Sequence, residues 1–343
     1  MRILPLDVTD DDAVRACYDL WTAVTRADDP FDAPESLRSF RTMLTMNWSG
    51  AATEAWYVPG ESGGSAGPGE IAAACHLQFP DRENRDWAFG EVYVHPARRR
   101  HGLGTALLRH AGKRATAHAR TLLGGHALTG SAGEAFALRL RGKPGLDDVR
   151  RVQELRKLPA GRVAALRAGA ERAAGGYSLA RWEGITPDDR LEQVAALHNA
   201  LNDAPREAGV EPHLWDAQQV RERSDARTIA LGRRRYSLAA SCDATGELAA
   251  LTVVGVDPDV PDWGHQAVTM VTRPHRGHRL GLLVKTAMLE WLAAAEPQVA
   301  RIVTWNAAAN EHMIGINEAL GYEVRGRPYR SYELPVTAID GQS

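Results

Sequence analysis

Two loops rich in arginine and glycine stand at matching places in the two halves of the chain. The first, "VYVHPARRRHGLGTALLRH" (92–110), places three arginines (98–100) just before Gly102 and Gly104, and "MVTRPHRGHRLGLLVKTAML" (270–289) nearly repeats it. Unpaired N–H groups and the dipole at a helix start favour phosphate, and glycine lets the backbone approach the anion closely. One isolated Gly-x-Gly is more often a solvated turn, but two copies, each between a strand and a helix, favour a pyrophosphate cradle.

The segments around the two loops predict the same order of elements twice. "RILPLDV" and "YSLARWEG" are typical of opening strands, and each precedes a helical segment, the first capped by Thr9. Paired strands follow, "AWYVPG" and "EIAAACHLQF" in the first half, separated by a predicted exposed turn, "ESGGSAGPG" (61–69). After each loop and its helix come a further strand, a helix and a final strand pair. We therefore predict an α/β protein with an N-terminal domain at 1–158, a linker helix at 159–176 and a C-terminal domain at 177–343.

Length and composition limit the classes of function. A chain of 343 residues suits two domains at about 150 residues each. The net charge of −2 argues against a nucleic-acid partner or a membrane partner. Cys17, Cys75 and Cys242 have no metal-ligand or redox spacing, so we predict no metal and reduced thiols. The first residues lack the apolar run of a signal peptide, so we predict a cytoplasmic protein.

The loop motif resembles that of a known family. Arg99-x-x-Gly102-x-Gly104, preceded by "EVYVHP", resembles the acetyl-CoA pyrophosphate motif of the GNAT acetyltransferase superfamily. "TWNAAANEHMIGINEALGY" in the second half is similar to that family's Asn-containing strand and the helix that follows it. The resemblance covers nearly the whole chain as two tandem GNAT domains, a layout shared with mycothiol synthase. It implies a mixed, mostly antiparallel sheet flanked by helices in each domain, with acetyl-CoA as co-substrate.

The resemblance also implies which residues hold acetyl-CoA. In the second half they are Val271, Arg276, Gly277, His278, Arg279, Leu280, Gly281, Asn306 and Asn310. In the first half they are Val94, Arg99, Arg100, Gly102, Leu103 and Gly104. The second loop departs from the pattern, because Arg279 stands where the motif has its first glycine, and a side chain there restricts close approach. Asn310 could equally be a helix N-cap.

Direct transfer requires a base for the attacking amine and a proton for the departing thiolate. His265, on the strand into the second loop, is the predicted base, with Glu91 as its counterpart in the first half. Many family members use a tyrosine as the acid, but the matching residue here is Asn317. The acid stays open between Tyr322, Tyr329, Tyr332, a water and none. Asn202 and Asp203 are predicted to bind the acceptor, although an ordinary helix end would also place such residues there.

These observations predict an N-acetyltransferase that moves an acetyl group from acetyl-CoA to the amine of a small molecule, such as an antibiotic, a metabolite or an amino-acid derivative. The second half keeps both asparagines, so we place the chemistry there; the reverse assignment stays open because the first half has the fuller motif. The alternative is a non-catalytic or regulatory tandem protein that binds CoA or a ligand. An aminoacyl-tRNA donor is disfavoured by the near-neutral charge. The sequence does not fix the oligomeric state, and we expect a monomer or a homodimer.

Overall fold

The computed structural model describes residues 1–46, 52–60 and 70–340, so the predicted turn at 61–69 lies outside the described residues. The chain forms two compact units. Unit 1 comprises Met1–Asp148, Glu207–Glu211 and Gly326–Ser343, and unit 2 comprises Val149–Arg206 and Pro212–Arg325. These units are not two successive stretches of chain, because the last strand returns to unit 1. The predicted division at 158 and 176 stays a prediction about the repeat in the sequence.

Unit 1 is a sheet with helices. Numbered in chain order, its strands are β1 (Leu4–Pro5), β2 (Ala52–Pro59), β3 (Ile71–Phe79), β4 (Trp87–Val94), β5 (Leu122–Leu128), the first part of β6 (Lys143–Glu154) and β13 (Tyr329–Pro335). They lie in the order β1-β2-β3-β4-β5-β13-β6. The helices are α1 (Asp11–Asp28), α2 (Leu37–Thr45), α3 (Leu103–Ala117), α4 (Ala132–Arg139) and α11 (Thr337–Asp340). The predicted α/β class is confirmed.

Unit 2 repeats this arrangement. Its strands are the second part of β6, then β7 (Tyr177–Glu183), β8 (Arg234–Cys242), β9 (Leu248–Val256), β10 (Trp263–Val271), β11 (Arg301–Ala307) and β12 (Tyr322–Val324). They lie in the order β6-β11-β10-β9-β8-β7, with β12 also on β6. The helices are α5 (Arg162–Ala173), α6 (Leu191–Asn199), α7 (Ala217–Gln219), α8 (Ala226–Leu231), α9 (Leu280–Ala295) and α10 (Glu311–Ala319). The predicted linker contains α5, which packs into unit 2 through the buried Ala170.

The sequence explains where the main helices begin and which face they bury. α1 is capped by Asp10, whose carboxylate accepts hydrogen bonds from the backbone N–H groups of Asp12 (3.0 Å) and Ala13 (3.2 Å), so the cap lies one residue after the predicted Thr9. α9 is apolar on nearly every face, and a helix of that kind belongs inside a core. The buried α9 holds the second loop against the centre of the unit 2 sheet.

The central pair of strands in each unit is hydrogen-bonded over only part of its length. β4 and β5 pair in parallel over Trp87–Phe89. β10 and β11 pair in parallel over Trp263–His265, and an irregularity follows between Gln266 and Val268. We call the place where this pairing ends the fork. Beyond the fork, each of β4 and β10 continues to the start of its glycine loop, so one strand edge leads from the fork to the loop.

Candidate functional site

The two glycine loops share one backbone path although their residues differ. In loop 1 the left-handed conformation falls on Arg100 (φ +67°) and Gly102 (φ +81°), and in loop 2 on Gly277 (φ +90°) and Arg279 (φ +55°). Arg100 is therefore equivalent to Gly277, and Gly102 to Arg279, so the two loops use arginine and glycine in the opposite order. A residue other than glycine in this conformation costs about 1–2 kcal/mol. The departure at Arg279 changes the side chain and not the course of the loop.

The motif arginines are bound within their own units. The Arg99 Nε donates to the Val94 carbonyl (3.2 Å), and the Arg276 Nε donates to the Val271 carbonyl (3.3 Å). The remaining guanidinium nitrogens of Arg99 form a bidentate pair with Asp28, at 2.8 and 2.7 Å. These contacts tie each loop to the strand before it. The phosphate contact of Arg99 and Arg276 stays a prediction.

Asp203 is the carboxylate that holds loop 2. Its oxygens accept hydrogen bonds from Arg273 (2.8 and 2.6 Å) and from Arg276 (2.7 Å). Hydrogen bonds from Arg273 and then Arg276 lower the pKa of the Asp203 carboxyl. The predicted acceptor residue Asp203 thus ties the segment after α6 to the glycine loop. Asn202 donates through Nδ2 to the His213 carbonyl (2.7 Å), a turn contact within unit 2.

A cavity of about 930 Å³ opens beside loop 2 in unit 2. Its walls are the end of β10 (Thr269 to Val271), the loop itself, the start of α9, one face of α10 and the segment Ala200–Leu201 with Asp203–Pro205. The predicted cofactor residues that line it are Val271, Arg276, Gly277, Arg279, Leu280, Gly281 and Asn310. Two others, His278 and Asn306, do not. The structure therefore brings seven of the nine predicted residues of this half to one cavity.

The two asparagines have different partners. The Asn310 side chain accepts a hydrogen bond from the Met313 N–H (3.2 Å), so it caps α10 and also lines the cavity. The Asn306 Oδ1 accepts from the Asn317 Nδ2 (2.8 Å), and Asn317 is fully buried. Asn317 thus links α10 to the end of β11 through its side-chain amide, a group that the tyrosine of other family members lacks.

The predicted base and acid of this half lie in different surroundings. His265 is the last β10 residue paired with β11, opposite Val303, so it stands at the fork without lining the cavity. Tyr322, a candidate acid, does not line the cavity: its side chain is 4% exposed within the core, where burial raises the pKa of its hydroxyl. Tyr329 and Tyr332 belong to β13 in unit 1. His312, at the start of α10, does line the cavity.

The unit 1 fork has a smaller cavity, of about 150 Å³. Glu91 lines it, and burial raises the pKa of its carboxyl. The predicted loop residues line neither this cavity nor another one of about 120 Å³ across the sheet. They are Val94, Arg99, Arg100, Gly102, Leu103 and Gly104.

Lys285 is a buried charged residue that the sequence did not lead us to predict. It lies in the middle of the apolar α9, 3% exposed, and its Nζ donates to the Gln266 Oε1 (3.3 Å) at the irregularity of β10. The Gln266 Nε2 in turn donates to Thr252 Oγ1 (3.0 Å) and to the carbonyls of Val253 and Val268 (both 2.8 Å). A single lysine inside the run "LGLLVKTAML" was the available signal, since such a group is buried only with a partner.

Comparisons with known proteins show the family of the chain. Residues 16–127 match the Acetyltransferase (GNAT) family. A tandem GNAT protein from the clavulanic acid biosynthesis pathway, solved without acetyl-CoA, is 30% identical with a TM-score of 0.77, over 98% of both chains. A GCN5-related N-acetyltransferase from Sphaerobacter thermophilus is 16% identical with a TM-score of 0.67, over 98% of this chain and 95% of that chain. No curated protein sequence matches the chain.

The chain belongs to the GNAT acetyltransferase family and is a tandem GNAT protein, as the sequence predicted. Its class is therefore that of the acyl-CoA-dependent N-acetyltransferases. Within the described residues, no helix is long and apolar enough to cross a membrane. The same residues include no group of three or more His, Cys, Asp or Glu side chains arranged to hold a metal ion.

Proposed function

We propose that this protein transfers the acetyl group of acetyl-CoA to the amine of a small molecule, and that unit 2 carries the reaction. The observation that carries the proposal is the cavity of about 930 Å³ that joins loop 2 to the end of β10 and to α10. Its volume lies at the upper end of the range for small-molecule sites. The corresponding fork cavity of unit 1 measures about 150 Å³ and reaches none of the residues of its loop.

The residues of unit 2 fit the parts of acetyl-CoA in order. Backbone N–H groups between Gly277 and Gly281 precede a helix of 16 residues, so the pyrophosphate meets unpaired donors and the positive end of a dipole. Arg279 adds a guanidinium at the cavity wall. Beyond the fork, the β10 edge facing β11 is no longer used by the ladder, so its backbone groups are available to the amides of the pantetheine arm.

The chemistry is direct attack by the acceptor amine on the thioester carbonyl. His265 at the fork is the proposed base, acting on the amine directly or through one water. Tyr322 is buried elsewhere, and no tyrosine lines the cavity among the residues that the structure describes. We therefore propose that the thiolate leaves and takes its proton from water, because a thiolate is a tolerable leaving group.

The experiment is a thiol-release assay with the full chain, acetyl-CoA and a panel of small primary amines. The proposal predicts free thiol above the amine-free background with at least one amine. The loss of this rate should be greater in His265→Gln, at the fork, than in His278→Gln, an exposed histidine of loop 2. Tight binding of acetyl-CoA without thiol release for any amine would instead favour the non-catalytic alternative.

A further inference from the structure

Two arginines of unit 2 bring their guanidinium groups to one point beside loop 2. Arg279 stands in loop 2 directly before α9, and Arg172 lies in the last turn of α5. A Cβ placed on Gly169 would lie 3.6 Å from the Arg279 Nη1 and 3.8 Å from the Arg172 Nη2. Because Gly169 has no side chain, both guanidiniums end over the same uncovered stretch of α5.

The packing of α5 against α9 fixes this meeting point. Leu166 and Ala170 of α5 pack into the apolar cluster that contains the buried face of α9. Residues three apart lie on the same side of a helix, so Arg172 reaches back over Gly169. α5 lies within the predicted linker, outside the order of elements that the two halves share. The linker helix thus adds a cation to loop 2 that does not come from the repeated elements.

The carboxylates of this surface are engaged by other arginines. Arg167 of α5 pairs with Glu171 at 2.8 Å and with Glu290 of α9 at 3.0 Å. The two arginines that precede Arg279 in loop 2 share one carboxylate, as described above. Among the residues that the structure describes, no carboxylate pairs with Arg172 or Arg279, and both side chains are exposed. The meeting point therefore has two positive charges and no negative one.

Two neighbouring guanidiniums without a carboxylate favour a doubly charged anion. Their mutual repulsion is relieved when an anion lies between them, and guanidinium binds phosphate through paired hydrogen bonds. Arg279 also lines the large cavity, beside the N–H groups proposed for the pyrophosphate. In coenzyme A, one ribose carries both the pyrophosphate and a 3′-phosphate. The 3′-phosphate must therefore lie close to the loop that holds the pyrophosphate.

Loop 1 differs at this point. Its residue equivalent to Arg279 is Gly102, and nothing lies within 4 Å of a Cβ placed there. Arg279 adopts the same left-handed conformation at a steric cost that glycine avoids. A phosphate contact accounts for an arginine where the motif has glycine.

We propose that Arg172 and Arg279 bind the 3′-phosphate of coenzyme A, a phosphate monoester, between the end of α5 and the start of α9. This inference rests on the proposed function, because it takes acetyl-CoA to occupy unit 2. It makes the linker helix part of the cofactor site. It also gives the protein a preference for coenzyme A over dephospho-coenzyme A, which lacks the 3′-phosphate.

The test is calorimetric titration of the full chain with acetyl-CoA and with acetyl-dephospho-CoA. We expect the wild type to bind acetyl-CoA at least about 10-fold more tightly. Arg172→Gln should remove this preference by weakening the binding of acetyl-CoA alone. Arg15→Gln, which changes an exposed arginine of α1 in unit 1, is the matched control and should leave both affinities unchanged.

A second variant places a carboxylate where the phosphate is expected. Gly169→Glu should pair with both arginines and lower the affinity for acetyl-CoA to that for the dephospho compound. Gly169→Gln has the same size without the charge and should lower this affinity less. Both variants should fold, since glutamate and glutamine favour a helix more than glycine does.

The outcomes separate this inference from the proposed function. Equal affinity of the wild type for the two compounds would overturn the inference and leave the proposed function standing. So would a preference that survives in both Arg172→Gln and Gly169→Glu, because the 3′-phosphate would then bind elsewhere. If inorganic phosphate bound to the arginine pair while acetyl-CoA showed no preference, the pair would be a site for free phosphate, and the inference would be wrong. Failure of the wild type to bind either compound would overturn the proposed function as well.

Discussion

At the scale of single residues, the exchange between arginine and glycine in the two loops shows what a motif can and cannot tell. The motif has glycine at the position of Arg279, so the sequence predicted a restricted approach of ligand to loop 2 without excluding it as a cofactor site. The structure gives Arg279 the same left-handed conformation that Gly102 has in loop 1. The strain of about 1–2 kcal/mol is small against the packing that fixes α9. A motif records the residues that adopt a conformation easily, whereas the fold can impose it on others.

Lys285 gives a prediction at the same scale. Burial lowers the pKa of its amine from 10.5 to about 7. Because the folded pKa lies below the unfolded one, the charge opposes folding increasingly as pH falls from 10.5 through 7. Lys285→Met removes this cost and loses the hydrogen bond to Gln266. We expect a net gain of about 2 kcal/mol at pH 7.

The measurement is urea unfolding of the wild type and of Lys285→Met at pH 7 and pH 10. The gain should shrink towards pH 10, where the unfolded lysine also begins to lose its proton. Lys113→Met, an exposed lysine on α3 of unit 1, is the control and should show little change at either pH. A destabilised Lys285→Met at pH 7 would mean that the lysine is a net favourable part of the core.

At the scale of elements, the caps of α4 and α10 allow the contribution of a residue to stability to be measured apart from its contribution to binding. Ser131 caps α4 with hydrogen bonds from Gly133 (3.1 Å) and Glu134 (3.2 Å), and Asn310 caps α10. Ser131→Ala and Asn310→Ala should each cost about 1 kcal/mol of stability, measured by urea unfolding. Only Asn310→Ala should also weaken acetyl-CoA binding, because only Asn310 lines the large cavity. If both variants changed acetyl-CoA binding equally, Asn310 would act only as a helix cap and not as a binding residue.

The order and type of many helices and strands were predictable from the sequence. Strand–loop–helix order, the apolar α9 and the equivalence of the two loops follow from periodicity and from helix-start chemistry. The partners of the loop arginines were not predictable, since Asp28 and Asp203 lie 71 and 73 residues before them in the chain. The burial of Tyr322 also depends on its strand pairing with β6, where it faces Gln153. Contacts between distant segments are fixed by topology, which local patterns do not contain.

At the scale of the whole molecule, each unit is built from segments that are not continuous in sequence, so a single boundary in the chain does not divide them. β13, from the C-terminal segment, lies between β5 and β6 in the sheet of unit 1. β6 contributes its first part to unit 1 and its second part to unit 2. The sequence pattern showed two repeats, and it could not show that one repeat supplies a strand to the other unit.

The position of β13 has a testable consequence. A chain that ends at Arg325 leaves unit 1 without a central strand, so its hydrogen-bond ladders to β5 and β6 are lost. We expect limited proteolysis to cut this chain preferentially within Met1–Asp148, while a chain that ends at Asp340 keeps the wild-type pattern. Equal protection of unit 1 in both truncated chains would contradict the observed strand order.

The central claim, that unit 2 holds acetyl-CoA, is tested most directly by calorimetric titration of acetyl-CoA into two matched charge-reversal variants. Arg100→Glu and Arg279→Glu each replace an exposed arginine of positive φ in one loop, so strain and charge change alike. The account predicts that Arg279→Glu loses binding by at least about 10-fold, or about 1.4 kcal/mol, while Arg100→Glu binds like the wild type. Loss of binding in Arg100→Glu alone would place the cofactor in unit 1 and contradict the account.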